Sequence, residues 1–343
     1  MMSLGHQTPV SGAGRGVARS FLARPAVLFH FLLLPVALSV VAAAFPGGAA
    51  RADGPWGDPR QIPIPPLREI EVPEPARVVL ENGMVVYLLE DHEFPLVDAR
   101  ALIRVGGMLE PMEKVGLARI TGEVMRTGGT TAVSGDSLDR LLEGLGASVE
   151  IGIGDTQGSA GVSTLTEDAA TGIRVLADLL RRPAFPEEKI QLAKTREHTS
   201  ISARNDELQN ILFREFPKLV WGAGHPYARH PEHASIEAIG RDDLVTFHRE
   251  HFHPDRIILT VYGDFEAASM EALLRQAFGD WPRSNRPLPP EPALPEAGAT
   301  GIWFAPKADA TNSGILIGQL GMRMDDPDYP AMSLLHEVLG GGF

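Results

Sequence analysis

The chain has 343 residues, 44% of them apolar and 22% charged, with a formal net charge of -13 and no cysteine. That composition belongs to a globular protein able to bury a core. The acidic balance and the lack of any long Lys/Arg run exclude a nucleic-acid-binding surface. The missing cysteines exclude disulfides, thiolate nucleophiles and Cys-zinc sites, so any metal would need His and carboxylate ligands.

Residues 1–52 read as a signal peptide. Arg15, Arg19 and Arg24 precede an apolar run from Pro25 to Phe45, and Ala50-Arg51-Ala52 has the A-x-A form of a cleavage site. Retained uncut, the same run would be a membrane anchor. Either way the folded part is expected outside the cytoplasm, in a periplasm or otherwise exported, with no membrane span left after cleavage. Residues 53–76, dense in proline from Pro55 to Pro75, form an extended lead-in.

Arg77 to Leu80, Glu81-Asn82-Gly83 and Met84 to Glu90 predict strand, tight turn, strand, since Asn-Gly favours the positive φ of hairpin turns. Val97 to Val105 is a third strand. Gly116 to Thr130 predicts a helix, with Leu117, Ile120, Val124 and Met125 at helical spacing and Gly128-Gly129 as its stop. Ser137 to Leu145 is a second helix, followed by strands Ala147 to Ile153 and Gln157 to Leu165. Thr166-Glu167-Asp168 is placed to cap a helix from Ala169 to Arg181. Beyond Pro183 to Pro186 a long helix is expected from Glu187 to about Val220, kinked or ended by Pro217. A polar loop from Trp221 to Ser235, a helix from Asp242 to Phe252, a strand from Ile257 to Tyr262 and a helix from Glu266 to Phe278 complete the unit. Strands and helices mix without regular βαβ alternation, which predicts an α+β fold: a mainly antiparallel sheet with helices packed on one face. Pro-rich residues 281–299 then act as a linker. Past them, Ile302 to Pro306 and Gly314 to Leu320 read as strands and Tyr329 to Leu339 as a helix. Such a piece cannot bury its own apolar face.

The stretches LENGMVVYLLEDHEFPLV, GLARITGEVMRTGGTT, LLEGLGASVEIGIGDTQGSAGVSTL, HPYARHPEHASIEAIGRDDLVTFHREHFHPDRIILTVYGDF and DYPAMSLLHEVLGGGF, in this order and spacing, resemble the insulinase/pitrilysin metallopeptidases (peptidase M16). Among those, the small bacterial members, mitochondrial processing peptidase and the bc1 core subunits are most alike. The resemblance implies tandem insulinase-type domains: an N-terminal one over residues 77–280 and the start of a C-terminal one, truncated, over 300–343. It also implies a zinc site built on an H-x-x-E-H helix, where two His one turn apart bind the metal and the Glu acts as general base. Here the His positions hold Arg119 and Glu123, and the base position holds Gly122. The position of the third ligand, a Glu on the long helix, matches Ser200 before Ile201, with Glu197 the nearest carboxylate. No catalytic residue and no metal of its own are therefore expected, any zinc belonging to a partner subunit. Arg119 is expected to pair with Glu123 at i, i+4.

Two further features bear on function. His225, His230, His233, His248, His251 and His253 form a histidine-rich region in which His248 and His251 at i, i+3 can face one side of a helix, although spacing sets no third ligand. Against a metal role stands a purely structural one, shaping loops and capping a strand. Ser148, Val149, Glu150, Ile151, Gly152 and Ile153 match the family's edge strand that receives peptide by β-addition. Equally, this is an ordinary edge strand on which Glu150 discourages pairing.

These readings converge on an exported, catalytically silent insulinase-family subunit. It would partner an active zinc peptidase as a heterodimer and help enclose peptide substrates. A stand-alone peptide-binding or assembly protein is the alternative, and an active metallopeptidase with a relocated His site is a third reading.

Overall fold

A computed structural model describes residues 72–295 and 300–341. The signal-peptide reading and most of the Pro-rich lead-in lie outside them. The described residues contain strands β1 (Ala76–Val79), β2 (Val85–Glu90), β3 (Leu96–Ile103), β4 (Ser148–Ile153), β5 (Gly158–Leu165) and β6 (Ile257–Gly263). Their helices are α1 (Leu117–Thr127), α2 (Gly135–Leu145), α3 (Ala169–Arg181), α4 (Glu187–Ala203), α5 (Leu208–Trp221), α6 (His233–Glu237), α7 (Arg241–His251), α8 (Ala267–Phe278) and α9 (Tyr329–Leu339).

The strands form one six-stranded sheet in the order β1-β2-β6-β3-β5-β4. Only β2 and β6 run parallel; the other neighbours are antiparallel. The late strand β6 is therefore threaded between two early ones. Alternate residues such as Val97, Ala99, Ala101 and Ile103 turn into the core, as a strand's period of two requires. The other face, carrying Arg77, Tyr87, Arg100 and Tyr262, has no helix over it, so the α+β arrangement with helices on one face is observed.

The Asn82-Gly83 turn contributes more than its backbone shape. Gly83 takes φ 88°, and Asn82 Nδ2 donates to the carbonyls of Phe278 at 2.7 Å and Trp281 at 3.2 Å. The first hairpin thereby closes the last turn of α8.

Helix α1 buries Leu117, Ala118, Ile120, Val124 and Met125, at about 1.5–3 kcal/mol for each large side chain. Its opening residue Gly116 has φ 108°, and its free amides are met from outside the helix. Buried Glu110 accepts from Gly116 N at 3.0 Å and from Ala118 N at 2.9 Å, placing a carboxylate at the positive helix end. At Gly122 the helix lies directly on β4: a Cβ there would stand 2.8 Å from Ile153 N and 3.0 Å from Ile153 Cγ1.

Three local expectations are corrected. The long helical stretch breaks at Arg204–Glu207, not at Pro217, which lies inside α5. Arg214 explains the corner, donating to Arg204 O at 3.2 Å and to Asn205 Oδ1 at 2.8 Å, so it caps the carbonyl end of α4. Thr166–Asp168 make a turn of 3-10 helix running into α3, with no side-chain cap. Residues 302–306 and 314–320 form no strands: nothing pairs with them among the described residues, and Ile302, Ile315 and Ile317 are almost fully exposed. A strand without a ladder partner and a covered face has little to hold it. Helix α9 does form, but buries no residue.

The contact at Gly122 yields an expectation opposite to helix propensity. Gly122→Ala should gain about 1 kcal/mol from propensity alone. The clash with the β4 backbone should instead leave the variant less stable by about 1–2 kcal/mol in urea unfolding.

Candidate functional site

Helices α1 and α4 pack side by side next to β4. Two successive residues of α4 answer two positions one turn apart on α1. Arg119 Nη2 lies 2.5 Å from Glu197 Oε2, and Arg196 Nη1 bonds to Glu123 Oε1. The expected Arg119–Glu123 pair is thus replaced by two pairs across the helices. The reason is burial: Glu197 has 5% of its surface exposed, and an exposed pair along α1, of about 0.3–0.5 kcal/mol, would leave that carboxylate without a partner. Burial pushes the Glu197 carboxyl above its ordinary range, against the pull of Arg119.

Ser200 does not face this cluster. On α4 the buried stripe runs through Ile190, Ala193, Lys194, Glu197 and Ile201, which leaves Ser200 exposed on the flank. The carboxylate that meets Arg119 is Glu197, three residues before Ser200.

A zinc site of the family's kind does not fit these residues. A guanidinium occupies the first ligand position, already paired with buried Glu197, and a fixed cation there repels a metal. The base position is also closed, since the Cβ clash at Gly122 leaves no room for a glutamate. Among the described residues, no group of three or more His, Asp and Glu side chains is arranged to hold a metal ion.

The histidines disperse into separate roles. His248 Nε2 lies 2.8 Å from Leu180 O, and its ring stacks on Phe252. His251 packs on Phe247. His230 Nε2 lies 3.1 Å from Arg214 O, and His225 Nδ1 accepts from Tyr227 N at 3.2 Å beside Trp221. His233 meets His198, with the two Nδ1 atoms 2.7 Å apart. His198 Nε2 is 2.8 Å from Glu237 Oε1 without hydrogen-bond geometry. His198 was no part of the sequence reading, because nothing in its spacing links α4 to α6.

Strand β4 spans the six expected residues and lies at the end of the sheet, so one of its edges is open. Gly154 N donates to Gln157 O at 2.9 Å, and antiparallel alternation counted from that pair turns the main-chain groups of Val149, Ile151 and Ile153 to the open edge. Part of that edge is taken. Arg126 Nε donates to Val149 O at 2.5 Å, while its Nη1 is held by Asp139 at 2.8 Å.

A mixed six-stranded sheet under a helical layer, with a zinc-type helix whose ligand positions hold other residues, defines a peptidase-like domain without the peptidase's own metal centre. Residues 85–229 match the family model described as Insulinase (Peptidase family M16), and residues 238–343 match Peptidase M16 inactive domain. The chain belongs to the insulinase family, peptidase family M16. An uncharacterized zinc protease of Mycobacterium leprae is 25% identical over 181 residues, covering 52% of this chain and 40% of that protein. A probable mitochondrial-processing peptidase subunit beta of Schizosaccharomyces pombe is 23% identical over 78% of this chain and 59% of its own length. A crystal structure of a peptidase M16 inactive domain from Pseudomonas fluorescens superposes with TM-score 0.67 at 22% identity, covering 79% of this chain and 65% of that one. The periplasmic protease PqqL of Escherichia coli shares the fold with TM-score 0.55 at 16% identity, over 64% of this chain and 26% of its own. The chain spans about two fifths of the length of the mycobacterial relatives.

Two measurements check the site. Arg119→Ala strands a buried carboxylate; because Arg119 is itself half-exposed, the cost should be only about 1–2 kcal/mol in urea unfolding, and adding Glu197→Gln should restore most of it. The second concerns pH. Burial pushes the His248 pKa from 6.5 down to about 4. The unfolded chain therefore takes up this proton first, and the folded state loses stability as pH falls from 6.5 toward about 4. Between pH 7 and pH 5 His248 should account for a loss of about 2 kcal/mol; His251, pushed down to about 4 as well, adds to it, so His248→Phe should remove about half of the slope in urea midpoints.

Proposed function

We propose that this protein is an exported, non-catalytic M16 subunit that pairs with an active zinc peptidase and helps enclose extended peptides. One observation carries the reading: the zinc helix keeps its scaffold while Arg119–Glu197 and Arg196–Glu123 pairs fill the ligand positions, and Gly122 sits against β4 where the base would be. Zinc would then come from the partner. Export is supported by the leading arginines, the apolar run and Ala50-Arg51-Ala52, and by likeness to a periplasmic protease. Among the described residues no helix is long and apolar enough to cross a membrane.

Peptide contact is assigned to the open edge of β4, residues Ser148, Val149, Glu150, Ile151, Gly152 and Ile153. An added strand would take main-chain bonds from Ile151 and Ile153 and compete with Arg126 for Val149 O. This edge also supports the second reading, a stand-alone peptide binder, because it needs no partner chain.

Co-expression with an M16 peptidase from the same genome separates the two. The two chains should co-purify, and hydrolysis of an unfolded peptide should rise when this chain is added. The gain should vanish with Ile151→Pro, which removes an amide facing the open edge and leaves the β5 ladder in place. A thermal midpoint checks that the variant folds. Hydrolysis unchanged by this chain, with no co-purification, would sink the partner reading. Peptide binding by the isolated chain, lost in Ile151→Pro, would then favour the stand-alone role.

A further inference from the structure

The helix-free face of the sheet carries a cleft of about 310 Å³, at the end where β2 and β6 begin and β3 finishes. Arg77, Tyr87, Arg104, Asp255, Arg256 and Ile258 line it. Three arginines against one aspartate is an odd local balance in a chain of net charge -13.

The arrangement holds three cations together with Asp255 as the one acid in the lining. Arg104 N donates to Arg256 O at 3.0 Å, so these two arginines are cross-strand neighbours. Like charges placed so are destabilising unless something neutralises them. Arg256 has only 3% of its surface exposed, and its Nε has no hydrogen-bond partner. Its Nη atoms make only long contacts of 3.4–3.5 Å, to the carbonyls of Glu250, Arg286 and Pro287 and to Ser284 Oγ. Asp255 is engaged elsewhere, accepting from Ser284 N at 2.8 Å. Glu250, whose carbonyl Arg256 reaches, has its carboxylate 3.3 Å from Arg286. Burial, together with the neighbouring Arg286, holds the Arg256 pKa below the usual arginine value, against the pull of Asp255. Arg77 and Arg104 are exposed, and neither has an ion-pair partner among the described residues. Buried charges are ordinarily paired; the Arg256 guanidinium has only carbonyls and Ser284 Oγ as acceptors, with Asp255 as the acid in the lining, and the cleft has room for an anion.

We propose that this cleft is a binding site for a small polyanion bearing phosphate or carboxylate groups. Guanidinium groups suit both, through paired N–H donors to two oxygens. The volume reaches the lower end of small-molecule sites, more than a lone inorganic ion fills. Tyr87 and Ile258 add an apolar wall for the organic part.

Isothermal titration of the full chain in phosphate-free buffer with pyrophosphate, inorganic phosphate and citrate tests this. Pyrophosphate or citrate should bind with a submillimolar Kd, inorganic phosphate more weakly, and affinity should fall as salt rises. Arg77→Gln and Arg104→Gln, both at exposed positions, should each weaken binding by about tenfold with the thermal midpoint unchanged. Pyrophosphate binding over citrate identifies a phosphate ligand, and the reverse a carboxylate. No saturable binding by any of the three up to about 10 mM, or binding that both variants leave intact, overturns the proposal.

Discussion

The close approach of α1 to β4 at Gly122 is the constraint on which the rest of the structure depends. A helix without a side chain at that point settles onto the strand backbone, its Cβ position only 2.8 Å from Ile153 N. The approach lets Leu117, Ile120, Val124 and Met125 reach the core, and it brings Arg126 to the open edge of β4. It also removes the space a catalytic glutamate would use. One small residue thus joins packing and lost chemistry, because the volume that favours tight helix-on-sheet contact is the volume a base would need.

Around that contact, charge is arranged for holding helices together rather than for binding metal. Arg119 to Glu197 and Arg196 to Glu123 are reciprocal pairs between α1 and α4, and only Glu197 is deeply buried. The capping of α1 by buried Glu110 works in the same sense, giving the helix amides a fixed acceptor six residues upstream.

The open edge of β4 and the arginine-lined cleft lie on different parts of the sheet. The first is the side of its last strand; the second is on the helix-free face near β2 and β6. The edge is partly occupied by Arg126, which protects against indiscriminate strand pairing. The cleft has the opposite character, three cations against one aspartate.

The sequence by itself determined the strands, most of the helices of residues 77–280 and the family, because these are written in local patterns: period-two strands, a 3.6-residue apolar stripe in α1, Asn82-Gly83, and motif blocks in order. It also determined that two histidines and a glutamate are missing. Tertiary structure alone decided which charges pair, since Arg119 meets Glu197 from another helix and no spacing encodes that distance. It decided the break at Arg204–Glu207, set by Arg214 reaching back across the corner where Pro217 was the local signal. It dispersed the histidines, His248 to the Leu180 carbonyl and His251 to the Phe247 ring. Residues 302–306 and 314–320 make the same point from the other side: Ile302, Ile315 and Ile317 stay exposed and outside any strand, because a strand exists only when another strand lies beside it.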